Sequence, residues 1–307
     1  MPAPEISICI CTFHRPLGLS LLLRSLQRLD PATPSREVIV VDNDGQRSAE
    51  PIVRQAIADG IEILYEVEPV QSIALARTRS VRCAQGTWVA FVDDDEEADP
   101  RWLLELWTLA QDRDVDGAFG VVRRRFEPAT PDWIRTVYPN HERTSGALLR
   151  WWEAATNNAL VRRSAMLALG ELFNPTYALT GGEDSDLFQR MAQRGSALVG
   201  VSSAVVYETV PAGRATVAYL LRWWLGAGAL FARMNIATVP IWRLKLWLLG
   251  RVLLLAGYGL AGAVCFLFSR ARGLRYFLRA AYEAGILFGK LTGSLVQRYP
   301  IRDQLPL

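Results

Sequence analysis

The stretch "WVAFVDDDEEADPRWL" (Trp88–Leu103) sets three aspartates, Asp93, Asp94 and Asp95, directly after an apolar run. A carboxylate at the end of a buried strand has a fixed backbone position, so several can be aimed at one point. Adjacent anions repel and raise one another's pKa unless a cation lies among them. Mg²⁺ and Mn²⁺ are hard cations that take oxygen ligands, commonly one or two protein carboxylates and the rest from substrate phosphates. Asp93 and Asp95 therefore read as ligands of such a cation, and Asp99 before Pro100 as the cap of the next helix. A second acidic group follows in "TGGEDSDLFQRMAQRG" (Thr180–Gly195). Acids are expected at a helix N-terminus in any case, and Asp186 is given that role. Gly181 and Gly182, ahead of Glu183 and Asp184, indicate a backbone that passes close to a ligand. One carboxylate there would act as general base.

These groups need a scaffold that brings them together. "ISICIC" (Ile6–Cys11) is a continuous apolar run, as expected of a strand covered on both faces. A helical pattern carries Leu19, Leu22, Leu26 and Leu29, and "EVIVV" (Glu37–Val41) closes a βαβ unit. The alternation continues through Ile61–Val67, a helix over about 72–84, Thr87–Val92, a helix over about 100–112 and a strand near 118–122. This order predicts an α/β fold with a Rossmann-like, mostly parallel sheet and helices on both faces. Ligands of such sheets bind beyond the carboxyl ends of the strands. Thr12, Asp42 with Asp44, and Asp93–Asp95 follow the first, second and fourth strands and so converge on one edge.

Charge divides the chain. Residues 1–210 carry 21 Lys+Arg against 29 Asp+Glu, and residues 211–307 carry 13 against two, Glu283 and Asp303. The basic part is expected to meet an anionic surface. "VLLLAGYGLAGAVCFLFS" (Val252–Ser269) has no charge and just reaches the length of a membrane-spanning candidate. Basic residues flank it on both sides, which fits a re-entrant hairpin or interfacial helices better than one simple crossing. The second arm is expected over 280–295. Two domains follow: 1–210, holding the acids, and 211–307, helical and membrane-associating. The four cysteines are scattered, Cys9 and Cys11 read as small buried side chains of the first strand, and the N-terminus carries no secretory signal pattern. His14, in the loop after the first strand, is placed near the ligand or at the surface, and His141 is assigned no role.

Two other uses of a strand that ends in acids lack their parts. A P-loop needs a glycine-rich loop closing on Gly-Lys-Ser/Thr, but the only Gly-Lys is Gly289-Lys290, followed by Leu291. A dinucleotide site needs its glycine fingerprint after the first strand, where this chain has "CTFHRPLG".

Taken in order, "ISICICTFHRP", "VIVVDND", "ALARTRSVRCAQGTWVAFVDDDE" and "GGEDSDLFQRM" resemble the family 2 glycosyltransferases, inverting enzymes of the GT-A fold, over about residues 5–210. The resemblance implies a sugar nucleotide, with a UDP-sugar favoured. It places Thr12 near the ribose or base, Asp42 on the uracil or ribose with Asp44 as helper, and Arg77 in the nucleotide-sugar site; Thr78 stands where asparagine is common. Asp93 and Asp95 correspond to the DXD motif, with Asp95 on Mn²⁺ or Mg²⁺ and Asp93 on ribose and metal. Asp184 corresponds to the catalytic base. Glu183, Arg214 and Arg222 are placed on the acceptor or phosphate side, and Asn157 and Asn158 on the acceptor side; "YLLRWW" (Tyr219–Trp224) carries Arg222 where processive relatives have Gln-x-x-Arg-Trp. Single-sugar addition to a glycan or lipid-diphosphate-linked acceptor in exopolysaccharide assembly is implied, at the cytoplasmic face of the membrane. Trp223, Trp224, Trp242 and Trp247 are expected at headgroup depth or in core packing. No nucleic acid is expected as a partner. Two alternatives remain open: a nucleotidyltransferase on a related sheet, and a non-catalytic membrane scaffold.

Overall fold

The computed structural model describes residues 3–138, 142–235 and 241–297; His141 and the last ten residues lie outside them. The apolar runs form strands and the amphipathic stretches form helices. In chain order these are β1 (Ile6–Thr12), α1 (Pro16–Leu26), β2 (Arg36–Asp42), α2 (Glu50–Ala58), β3 (Ile63–Val67), α3 (Ile73–Cys83), β4 (Trp88–Val92) and β5 (Glu96–Ala98). There follow α4 (Trp102–Asp112), β6 (Gly117–Phe126), α5 (Asp132–Arg135), β7 (Asn158–Arg162), α6 (Arg163–Leu167), α7 (Glu183–Gln193), β8 (Leu198–Val210), α8 (Val217–Asn235), α9 (Ile241–Phe268) and α10 (Arg270–Thr292).

The eight strands form one sheet in the order β3-β2-β1-β4-β7-β6-β8-β5. Alternate side chains of the central strands build two cores. On one face Ile6, Ile8, Ile10, Val38 and Val40 pack with Leu22 of α1, Val53 of α2 and Trp102 of α4. On the other, Cys9, Ile39, Val41, Val89 and Phe91 pack with Ala74 of α3 and with Leu187, Phe188 and Met191 of α7. Strands buried on both faces read as unbroken apolar runs for this reason.

The sheet is less parallel than its sequence pattern suggests. β3, β2, β1 and β4 are parallel neighbours. β7 then inserts between β4 and β6, antiparallel to both, and β5 pairs antiparallel with β8. The crossover through α4 does return β6 in the direction of β4, but a five-residue strand from far along the chain fills the gap between them. Pairing over that separation leaves no local signature. It puts Asn158 beside Val92, at the carboxyl end of β4.

The chain folds as two compact units. One comprises the described residues up to 125 together with 142–209. The other comprises 126–138 and the described residues from 210 onward, so a short segment from mid-chain joins the C-terminal helices. There Ile134 and Val137 are buried with Val210, Leu220, Leu274 and Leu278. α8 and α10 approach closely, since a Cβ on Gly228 would clash with the Tyr282 carbonyl and one on Gly285 with the Leu225 carbonyl. Small residues at helix crossings permit this approach. Ser269 turns the chain between α9 and α10 and caps α10 by accepting from Arg272 N–H. Among the described residues, 244–268 within α9 form one helix apolar and long enough to cross a bilayer, with mean hydropathy 1.9 and almost none of its apolar stretch buried.

Candidate active site

The acids at the end of β4 are fixed by the elements around them. Thr12, the last residue of β1, is buried, and its Oγ1 donates to Asp94 Oδ2 at 2.8 Å. Arg15 precedes Pro16 at the start of α1, and its Nη1 lies 2.7 Å from Asp94 Oδ1 and 2.9 Å from Asp95 Oδ2. A Cβ on Gly18 would clash with the Asp94 carbonyl, so only glycine lets the first turn of α1 lie on this loop. Glu96 is buried and accepts the Asp93 N–H at 2.9 Å.

A second chain of contacts links this loop to α7. Arg77, buried on α3, donates through Nη2 to Asp93 Oδ1 at 3.0 Å and through Nη1 to Glu183 Oε1. One guanidinium thus joins the β4 acids to the Glu-Asp pair, 106 residues from itself along the chain. Gly181 and Gly182 lead into α7 with φ of 70° and 103°, in the left-handed region. Glu183 is 1% exposed, and its Oε2 has no hydrogen-bond partner among the described residues. Asp184 Oδ1 accepts from Ser185 N–H, and Asp186 pairs with Arg190 at 2.8 Å one helical turn on. Gly195, φ 86°, ends the helix.

Burial dominates the electrostatics. It raises the Asp94 carboxyl to about 6, opposed by Arg15 and reinforced by Asp95. It raises Glu183 to about 7, opposed by Arg77 and reinforced by Asp184. Asp93 is shifted upward by its desolvated surroundings, with Arg77 opposing and Asp95 and Asp184 adding, although its side chain remains 40% exposed. Glu96 is pushed well above the carboxylate range by burial and then by Asp93 and Asp95. Burial alone would weaken the Arg15 charge, but Asp94 and Asp95 raise its pKa above the ordinary value. Crowded anions of this kind suit a cation. Among the described residues no three His, Cys, Asp or Glu side chains are grouped to hold one unaided. Asp93 and Asp95 are hard oxygen donors, and this donor set fits Mg²⁺ or Mn²⁺ completed by phosphate oxygens.

The other expected residues have varied placements. Asp42 is fully buried, and its carboxylate accepts from the N–H groups of Ala49 and Asp44 and from Tyr65 O–H. It therefore organises the turn from β2 into α2. Asp44 is buried with His14 Nε2 at 3.3 Å from its Oδ2, and His14 has φ 53°. Asn158 faces inward: Oδ1 accepts from Trp102 Nε1, and Nδ2 donates to the Val121 and Ala204 carbonyls. Arg214 and Arg222 belong to the second unit, where the Arg214 carbonyl accepts from Tyr138 O–H and Arg222 Nη2 donates to the Gln297 carbonyl. Trp224 and Trp247 pack against that unit's helices; the Trp242 side chain is outside the described part. Arg15, Glu96 and Asn43 were not singled out from sequence. Asn43 bonds the Glu68 and Val70 carbonyls and the Ser72 N–H. Its place between Asp42 and Asp44 was the available signal.

Comparison with known proteins agrees with this fold. The structure is similar to the mannosyltransferase PcManGT of Pyrobaculum calidifontis in complex with GDP-Man and Mn²⁺ (TM-score 0.63, 16% identity, 95% of this chain and 88% of that one). It is also similar to S. aureus TarS 1–349 in complex with UDP-GlcNAc (TM-score 0.57, 14% identity, 94% and 91%). In sequence the chain is 31% identical over 314 residues to the succinoglycan biosynthesis protein ExoM of Rhizobium meliloti (strain 1021), covering 97% of each. The profile of Glycosyl transferase family 2 matches residues 7–169. By both the profile and this relative, the chain belongs to glycosyl transferase family 2 and is a glycosyltransferase of that family.

Proposed function

We propose that this protein transfers one sugar, with inversion, from a nucleotide-diphospho sugar to a hydroxyl of a glycan or lipid-linked acceptor in exopolysaccharide synthesis. The observation that carries the reading is the Arg77 bridge, which brings Asp93 and the start of α7 to one edge of the sheet. The relative named for succinoglycan biosynthesis supports the pathway class, and the neighbours bound to UDP-GlcNAc and GDP-Man support a nucleotide-sugar donor. A UDP-sugar is favoured.

In this reading the nucleoside lies against the ends of β1 and β2, near Thr12 and Asp44. Asp93 and Asp95 would hold Mn²⁺ or Mg²⁺, which, when bound, offsets charge on the departing diphosphate. Asp184 takes the proton of the acceptor hydroxyl as its oxygen attacks the anomeric carbon. The bond to the diphosphate oxygen breaks in the same displacement, so the anomeric configuration inverts. Arg77 and Glu183 hold the start of α7 in register with Asp93. Residues 1–210 would form the transferase domain. The helices beyond would seat the protein on the cytoplasmic face of a membrane, with the arginines of α10 facing anionic headgroups at about 1 kcal/mol each.

Asp184→Asn tests the assignment of the base. Loss of a general base is expected to lower kcat by about 10²–10⁴-fold while UDP binding, followed by calorimetry, stays near wild type. Weakened UDP binding with an unchanged turnover rate would assign the residue to the donor instead.

A further inference from the structure

The acids at the end of β4 already face a cation, and it is a side chain. Arg15 uses a single nitrogen, Nη1, for both Asp94 Oδ1 and Asp95 Oδ2. Its backbone lies between the end of β1 and Pro16, with its carbonyl accepting from Leu19 N–H. Neither the transfer chemistry above nor the cap of α1 uses this guanidinium, since that helix start has no side-chain cap hydrogen bond.

The two aspartates differ in what else holds them. Asp94 is gripped by Thr12 Oγ1, its carbonyl lies under α1 at Gly18, and its side chain is 6% exposed. The Asp95 side chain is 19% exposed. A guanidinium and a divalent cation are both positive and compete for the same carboxylate oxygen. Resting on the function proposed above, we propose that Arg15 is a positioning residue of the cation site. It holds Asp95 in the unloaded enzyme and gives up Asp95, while keeping Asp94, when a divalent cation arrives with a nucleoside diphosphate. A cation alone must displace the arginine with few ligands in return. A cation with a diphosphate brings its own oxygen ligands and takes Asp95 readily. Arg15 thereby makes cation and donor bind together, and the coupling is reciprocal.

The test measures Mn²⁺ affinity of the full-length protein from the free-Mn²⁺ resonance signal, with and without UDP. For Arg15→Gln, Mn²⁺ alone is expected to bind about tenfold tighter or more, since an arginine beside a carboxylate shifts its proton affinity by one to three decades. The further gain on adding UDP should shrink by the same factor. Arg54→Gln, which removes an equal charge from an exposed guanidinium paired with Glu50 on α2, should leave that gain as in wild type. The inference is overturned if folded Arg15→Gln binds Mn²⁺ no more tightly than wild type. It is also overturned if its two affinities rise in parallel, which is a general charge effect without exchange. Should Arg15→Gln fail to fold, Asp94→Asn decides: Arg15 then serves Asp95 alone, so Mn²⁺ alone should weaken more than Mn²⁺ with UDP, and equal losses would defeat the idea. If wild type binds no Mn²⁺ even with UDP, the cation role and this inference fall together. A wild-type protein that couples the two ligands beside an unchanged Arg15→Gln removes the inference only.

Discussion

Asp93 to Glu96 are four successive acids, and each meets different surroundings. Asp93 faces Arg77, Asp94 is enclosed by Thr12 and Arg15, Asp95 shares Arg15, and Glu96 turns back onto the Asp93 N–H. Burial raises Asp94 to about 6 from 3.8 and Glu183 to about 7 from 4.5. A carboxyl raised in the folded state binds its proton there first, so stability grows as pH falls through the folded value and levels off below the unfolded one. Without metal, thermal melts should therefore rise as pH is lowered from 8 towards 6, and Asp94→Asn should remove part of that slope. A melting temperature that falls over this range in wild type would contradict the burial of these two groups. At this scale the sequence reveals which acids gather, because apolar runs followed by carboxylates are visible. Which acids the fold uses internally is hidden, as Asp42 shows: its partners Ala49 and Tyr65 lie on a helix start and a neighbouring strand.

At the scale of elements, the start of α7 depends on two consecutive residues in the left-handed region. Gly182, at φ 103°, has a backbone that side-chain-bearing residues reach only with strain of about 1–3 kcal/mol. Gly182→Ala should lower stability by about that amount and reduce transfer further than it reduces UDP binding, because Glu183 and Asp184 would lose their aim. Calorimetric melts and a kcat measurement check both parts; wild-type stability would show that the turn tolerates a Cβ. The glycine pair, the acids and Gly195 mark this helix in the sequence from end to end. The parallel strands are marked equally well, by apolar runs separated by helical spacing. β7 is not marked. "NALVR" is short, and it is made a strand by Val92 and Phe91 on one side and Phe119 on the other, contacts no local pattern encodes. Asn158 accordingly reads as a residue of the acceptor side, whereas it joins Trp102 to two carbonyls inside.

At the scale of the whole molecule, α9 exposes a long run of apolar side chains among the described residues. Leu246, Leu253, Leu260 and Leu267 recur every seven residues and all are exposed. Membrane seating predicts that Leu253→Asp with Leu260→Asp releases the protein from vesicles, since an aspartate at the centre of an inserted helix costs about 3 kcal/mol. Both positions are open, so the fold should persist in circular dichroism. Continued flotation with vesicles would point to another anchor. The basic, apolar character of this region is plain from composition, but the inclusion of residues 126–138 is not, because Ile134 and Val137 resemble any loop-borne apolar pair until Leu274 and Leu278 cover them. That arrangement has a consequence during synthesis. Ile134 leaves the ribosome about 140 residues before Leu274, and at about 5–20 residues per second it waits roughly 7–28 s for that part of its cover. Over that interval the nascent chain carries an uncovered apolar pair, open to capture by a chaperone or a lipid surface.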